Sequence, residues 1–232
     1  MARLPRLYAP DVVQRIVQRA AEGRLLFDCA DDYRFFVDLL RQAAHSNELA
    51  IHAYVLLPRQ IQFLATPSNV NALPQTMQAI GRRYVPYMNR RTGRLGPLFD
   101  RRYRSTLIEA EQYLLACMQQ LETQPVSEGL AQSPEEWRWS SYRHHIGLEQ
   151  ETFLVDHPIY WALRNTPFER QAAYRSLAET PLANDVASAI EHATEMSWGL
   201  GSENFLQSIS GHATRRLVPL PRGRPKKLLP QQ

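Results

Sequence analysis

Between Gly81 and Ser105 the chain carries eight arginines (Arg82, Arg83, Arg90, Arg91, Arg94, Arg101, Arg102 and Arg104) against one acid, Asp100. Tyr84, Tyr87, Phe99 and Tyr103 are interleaved with them. Guanidinium groups neutralise phosphates and aromatic faces stack on unpaired bases, so this mixture predicts a contact with single-stranded nucleic acid. The plain alternative is a solvated helix face backed by core aromatics. A second basic run, Pro221-Arg222-Gly223-Arg224-Pro225-Lys226-Lys227, lies near the C-terminus. Arg-Gly-Arg-Pro keeps the backbone slim and extended, so Arg222 and Arg224 can enter the narrow minor groove of A·T-rich duplex with Lys226 and Lys227 on its phosphates. This matches the core of the AT-hook motif; a solubilising basic tail is the alternative.

Other chemistry is sparse. The sequence holds no Gly-rich phosphate loop, no Gly-x-Ser-x-Gly and no paired cysteine spacing, and Cys29 and Cys117 stand alone. His45, His52, His157, His192 and His212 are scattered, and His144-His145 are neighbours that would not easily face one ion, so surface or capping roles are expected and no metal site. Trp137 and Trp139 could stack on bases, but core packing is expected for at least one of them.

The elements that position these residues follow from pattern. With 232 residues, 44% of them hydrophobic, the chain can bury one substantial core. A formal net charge of +4 with arginine far in excess of lysine favours nucleic acid as partner. No apolar run is long enough for a membrane span, and a soluble, cytoplasmic, nucleoid-associated protein is expected. Strands are predicted at 11–19, with one wet face, at 49–57, at 60–66 and near 102–108, and helices at 31–40, 73–91 and 109–124. That order is a ferredoxin-like, split βαβ, α+β plan with helices on one face of an antiparallel sheet. Further helices are predicted near 133–144, 168–178, 183–195 and 203–209. The expected organisation is a sheet domain over 1–155, a helical extension over 156–213 and a basic tail over 214–232 that stays disordered until bound.

Taken together, several segments carry a resemblance. His52-Ala53-Tyr54-Val55-Leu56-Leu57-Pro58, Arg82-Arg83-Tyr84, Asn89-Arg90-Arg91 running to Gly96-Pro97-Leu98-Phe99, and Arg102-Tyr103-Arg104-Ser105-Thr106 are four of them. Tyr113-Leu114-Leu115, Trp139-Ser140-Ser141-Tyr142-Arg143, Leu200 to Phe205 and Gly223 to Lys227 complete the order. The chain resembles the REP-associated tyrosine transposases, the cellular branch of the single-tyrosine HUH transposases. The resemblance implies a sheet presenting a His-hydrophobe-His pair to a Mg²⁺ or Mn²⁺ ion, and a helix carrying a tyrosine that attacks a scissile phosphate. It also implies hairpin-flanked single-stranded DNA, the REP palindrome, as substrate.

The departures fall on that chemistry. Pro58-Arg59-Gln60-Ile61-Gln62 stands where the family has Pro-Asn-His-hydrophobe-His, so Gln60 and Gln62 replace both ligand histidines. Gln119-Gln120-Leu121-Glu122-Thr123-Gln124-Pro125 puts Gln120 at the nucleophile and Gln124 at a further ligand position. A carboxamide is a weak metal ligand and cannot form a phosphotyrosine-type link. No cofactor and no catalytic residue are therefore expected. The expected function is binding of hairpin or single-stranded DNA without cleavage, by a monomer or homodimer. The alternative is a working transposase or nickase that uses a displaced tyrosine, such as Tyr113, or a partner subunit.

Overall fold

The computed structural model describes residues 7–219, so Arg222, Arg224, Lys226 and Lys227, with the AT-hook expectation, lie outside the described residues. The chain runs β1 (Gln14–Arg19), α1 (Ala30–Ser46), β2 (Leu49–Leu57), β3 (Gln60–Pro67), α2 (Ala72–Thr92), β4 (Arg104–Leu107) and α3 (Ala110–Ser127). It continues through α4 (Tyr142–His145), α5 (Pro158–Trp161), α6 (Pro167–Glu179), α7 (Asn184–Met196) and α8 (Glu203–Ile209). The four strands form one sheet in the order β2-β3-β1-β4, with every neighbouring pair antiparallel. This is the α+β, ferredoxin-like plan expected from the sequence.

Local chemistry accounts for the elements. The Asp32 carboxylate, in the first turn of α1, takes the backbone N–H groups of Asp28 and Cys29 at 2.9 and 3.2 Å, donors the helix leaves without intrahelical partners. The α2 helix closes on Gly93, whose φ of 63° suits a residue without a Cβ. The α3 helix was expected to end at Gln124 before a proline. It runs on to Ser127 instead, because Pro125 falls in the last turn, where only the Leu121 carbonyl loses an intrahelical partner.

The helices cover both faces of the sheet, not one. Ile16, Ile61, Phe63 and Ala65 pack with α1 and α2 (Phe36, Leu40, Ile80, Tyr84). The alternate residues Ala53, Val55 and Leu64 pack with Leu114, Cys117, Met118 and Leu121 of α3 and with Tyr174 and Ile190 of α6 and α7. The wet face expected of β1 is therefore dry, and five of its six residues are buried.

The helix expected at 133–144 is also corrected. Residues Pro134–Glu136 make one 3₁₀ turn, and the chain then lies along the open edge of β2. Leu56 donates its N–H to the Trp139 carbonyl at 2.8 Å, and Ser141 returns one to Tyr54 at 3.0 Å. An edge strand has backbone groups that need partners, and that demand outweighs local helical pattern. Trp139 stacks on Tyr33 with ring centroids 4.7 Å apart, so it is a core residue.

Candidate functional site

Alternation along β3 puts Gln60 and Gln62 on the α3 side of the sheet, and Gln120 and Gln124 face them from successive turns of α3. The cross-strand register sets Val17 opposite Gln62 and Arg15 opposite Leu64, which aims Arg15 into the same space. The Arg15 guanidinium donates to Gln62 Oε1 at 2.7 Å and to Gln120 Oε1 at 2.5 Å. Gln62 passes its own N–H to Gln124 Oε1, and Gln124 donates to Glu128 Oε1 at 2.7 Å. Arg15 is 5% exposed. Burial depresses its proton affinity, and the neighbouring Cys117 and Glu191 act in the opposite direction. Burial pushes the Cys117 thiol up to about 11, although Arg15 pulls it down, so it stays protonated at neutral pH.

Beside this chain of amides lies a cavity of about 300 Å³, roofed by α7 through Glu191, Thr194 and Glu195. Glu195 stands 4.0 Å from Arg19. The two hydroxyls in the lining donate to helix carbonyls, Thr194 to Ile190 at 2.7 Å and Ser127 to Gln124 at 2.9 Å. Among the described residues neither hydroxyl is hydrogen-bonded to a general base. As arranged, the amides do not fit a divalent ion: the Gln62, Gln120 and Gln124 oxygens are all engaged, two of them by a side chain with a fixed positive charge.

Among solved structures, a REP-associated tyrosine transposase bound to a REP hairpin superposes on 68% of this chain and 93% of its own length, with a TM-score of 0.54 and 13% identity. The chain has the fold of a REP-associated tyrosine transposase. A second solved structure, a candidate transposase from Deinococcus radiodurans r1, is 20% identical over 51% of this chain and 94% of that one, with a TM-score of 0.37. No protein-family model matches the sequence, and no curated protein matches it.

On this transposase fold the arginine block divides. Arg82, Arg90, Arg101 and Arg102 are exposed, as are Arg83 and Arg94, which also hold Gln42 Oε1 at 2.8 Å and the Gly23 carbonyl at 3.0 Å. Arg91 is tied to the buried Asp32 carboxylate at 2.7 Å and to Asp28 at 3.4 Å, and Arg104 is half-buried on β4. Tyr84, expected to meet bases, is fully buried. It continues the Ile80-Tyr84-Met88 stripe of α2, its hydroxyl donates to the Leu26 carbonyl at 2.6 Å, and burial raises its pKa far beyond any physiological value. Tyr103 is buried too, and Tyr87 gives its hydroxyl to Asp32 at 3.0 Å, so these rings serve the core.

A second polar centre escaped the sequence reading. Glu122, fully buried on α3, accepts hydrogen bonds from Ser141, from His145 Nδ1 at 2.7 Å and from the Tyr174 hydroxyl at 2.6 Å. Around it, His144 Nε2 stands 3.3 Å and His145 Nε2 4.0 Å from Asp156 Oδ1. Adjacent histidines on a single-turn helix do converge here, because Gly147, at φ 76°, turns the chain so that Asp156 returns against α4. The spacing of the residues carried no signal for this.

No described helix is long and apolar enough to cross a membrane.

Proposed function

We propose that this chain binds hairpin-containing or single-stranded DNA and does not cut it. The transposase fold supports DNA as partner, and the solved relative with that fold holds a REP hairpin. The observation that carries the reading is Arg15 seated between Gln62 and Gln120. Where the resemblance implies an ion and a phenol, the chain presents a guanidinium whose partners are two amides. Strand transfer through a covalent tyrosine link has neither nucleophile nor Lewis acid at these positions. The exposed arginines Arg82, Arg83, Arg90, Arg94, Arg101 and Arg102 supply a phosphate-binding face, and Arg222, Arg224, Lys226 and Lys227 add an A·T-rich duplex contact through the tail.

The test is to incubate the protein with a REP-like hairpin labelled at its 3′ end, the side that a 5′-phosphotyrosine link would retain, and either Mg²⁺ or Mn²⁺. A retarded complex that weakens steeply with salt, and no labelled band surviving denaturation, is expected. A covalent adduct would overturn the reading in favour of a displaced nucleophile.

A further inference from the structure

We propose that His144, His145 and Asp156 bind a divalent transition-metal ion, Zn²⁺ for preference, at the seam where the segment after the sheet domain returns against α3 and α4. One ligand atom from each lies within 4.8 Å of the other two. At Zn–N and Zn–O bond lengths, tetrahedral ligands stand about 3.3 Å apart. The His144–Asp156 pair is already at 3.3 Å, and the His145–Asp156 pair, at 4.0 Å, has little to close.

His145 is the reason to read this cluster as a site and not as a surface ion pair. Its side chain is wholly buried, and its Nδ1 is held by Glu122, which Ser141 and Tyr174 fix in turn. A carboxylate on one ring nitrogen orients the other towards a metal and raises its basicity. The Nε2 so oriented is buried and, among the described residues, makes no hydrogen bond of good geometry, the His52 backbone being near enough only to favour its proton. A buried polar atom without a partner is costly, and an ion bound there would relieve it.

The other two ligands give access. The side chains of His144 and Asp156 are 14% and 22% exposed and line a cavity of about 470 Å³ with Tyr160, Trp161, Arg170 and Gln171. This opening provides an entry path and leaves a fourth coordination position for water or an anion, which Arg170 can face. Two imidazoles and one carboxylate suit Zn²⁺ and its spectroscopic substitute Co²⁺ better than Mg²⁺. One bond must be given up on loading. His144 Nδ1 accepts the Glu151 N–H at 3.1 Å, and an ion on Nε2 moves the ring proton to Nδ1, where it opposes that donor. The turn through Gly147 to Glu151 therefore reports occupancy.

The experiment takes the full chain stripped with EDTA and titrates it with Co²⁺ alone, then with Zn²⁺. One equivalent of Co²⁺ is expected, with the intense visible bands of four-coordinate cobalt, bleached by Zn²⁺, and faster hydrogen exchange at the Glu151 amide. His145→Ala removes a buried ring and can fail to fold, so the variants are Asp156→Asn and His144→Gln, each checked by circular dichroism without metal. Each is expected to weaken uptake at least tenfold with its apo spectrum unchanged. Absence of uptake, or uptake that survives in both variants, would overturn the proposal. Uptake lost instead on replacing Gln62 and Gln124 would also overturn it, by moving the ion to the amide cluster.

Discussion

Arg15 and Gln62 are joined by a buried hydrogen bond of 2.7 Å, and the same guanidinium reaches Gln120 at 2.5 Å. The bond fixes a permanent positive charge in the space where the resemblance implies a metal ion. Two unit charges ~4 Å apart repel by about 4 kcal/mol at an effective dielectric near 20, and a divalent ion doubles that. Installing the residues that the resemblance implies, by Gln60→His, Gln62→His and Gln120→Tyr, is therefore expected to leave the protein without Mn²⁺ affinity at this pocket and without strand cleavage. Adding Arg15→Leu to the triple variant is expected to permit Mn²⁺ uptake, followed by electron paramagnetic resonance. Tight Mn²⁺ binding by the triple variant with Arg15 intact would show that the arginine is no barrier.

The division of the arginine block gives a second expectation. Changing Arg82, Arg101 and Arg102, all exposed, to alanine should weaken hairpin binding and make the slope of log K against log salt shallower by about 2. Tyr84→Phe, which removes a buried hydroxyl bonded to Leu26, should cost about 1–2 kcal/mol of stability and leave DNA affinity unchanged. Titrations by fluorescence anisotropy at several salt concentrations, beside urea melts, separate the two. A loss of affinity in Tyr84→Phe without loss of stability would return that ring to the interface.

Glu122 should behave as a structural keystone. It accepts hydrogen bonds from α6 through Tyr174 and, around α4, from Ser141 and His145, so Glu122→Gln turns one acceptor into a donor facing donors. A cost of about 3 kcal/mol is expected for disrupting a buried, fully bonded charge. For a chain of this length that is roughly a 6–12 °C fall in Tm by differential scanning calorimetry. An unchanged Tm would mean that the amide serves these three partners as well as the carboxyl does.

How much of this was visible beforehand depends on the range of the interaction. Period-two alternation was enough to put Gln60 and Gln62 on one face, and a one-turn spacing enough to align Gln120 with Gln124. The strand at 49–57 has the bounds expected of it. Arg15 was not legible, because Gln14-Arg15 beside Gln18-Arg19 reads as a wet face until α3 and α7 are known to cover it. Tyr84 was misread for a related reason: a phenol among arginines suits either a base or a core, and its place in the stripe with Ile80 and Met88 decides. The His144, His145 and Asp156 cluster depends on a loop closure that no local pattern encodes.

Acid sensitivity should be set in good part by His52. The ring is buried, with Nδ1 bonded to the Val155 carbonyl at 2.6 Å and Nε2 to the Thr66 hydroxyl at 2.8 Å. Neutral imidazole satisfies both partners by donating from Nδ1 and accepting at Nε2. Burial lowers its pKa to about 4; the Val155 carbonyl works the other way, while His157, 5.1 Å off ring to ring, and His145 add to the depression. Below the unfolded value near 6.5 the unfolded chain takes a proton that the folded chain refuses, so stability falls as the pH drops from about 6.5 to about 4, by up to ~3 kcal/mol. His157, also depressed by burial, has the same sign. Burial lowers His145, but Glu122, Asp156 and the His52 backbone together raise it overall, so its contribution is full below about 6.5 and is lost only as the pH rises above that. His52→Gln keeps a donor and an acceptor without the titration. Urea midpoints at pH 7 and pH 4.5 should therefore fall much less in the variant than in the parent chain, and equal losses in the two would rule His52 out as the acid-sensitive group.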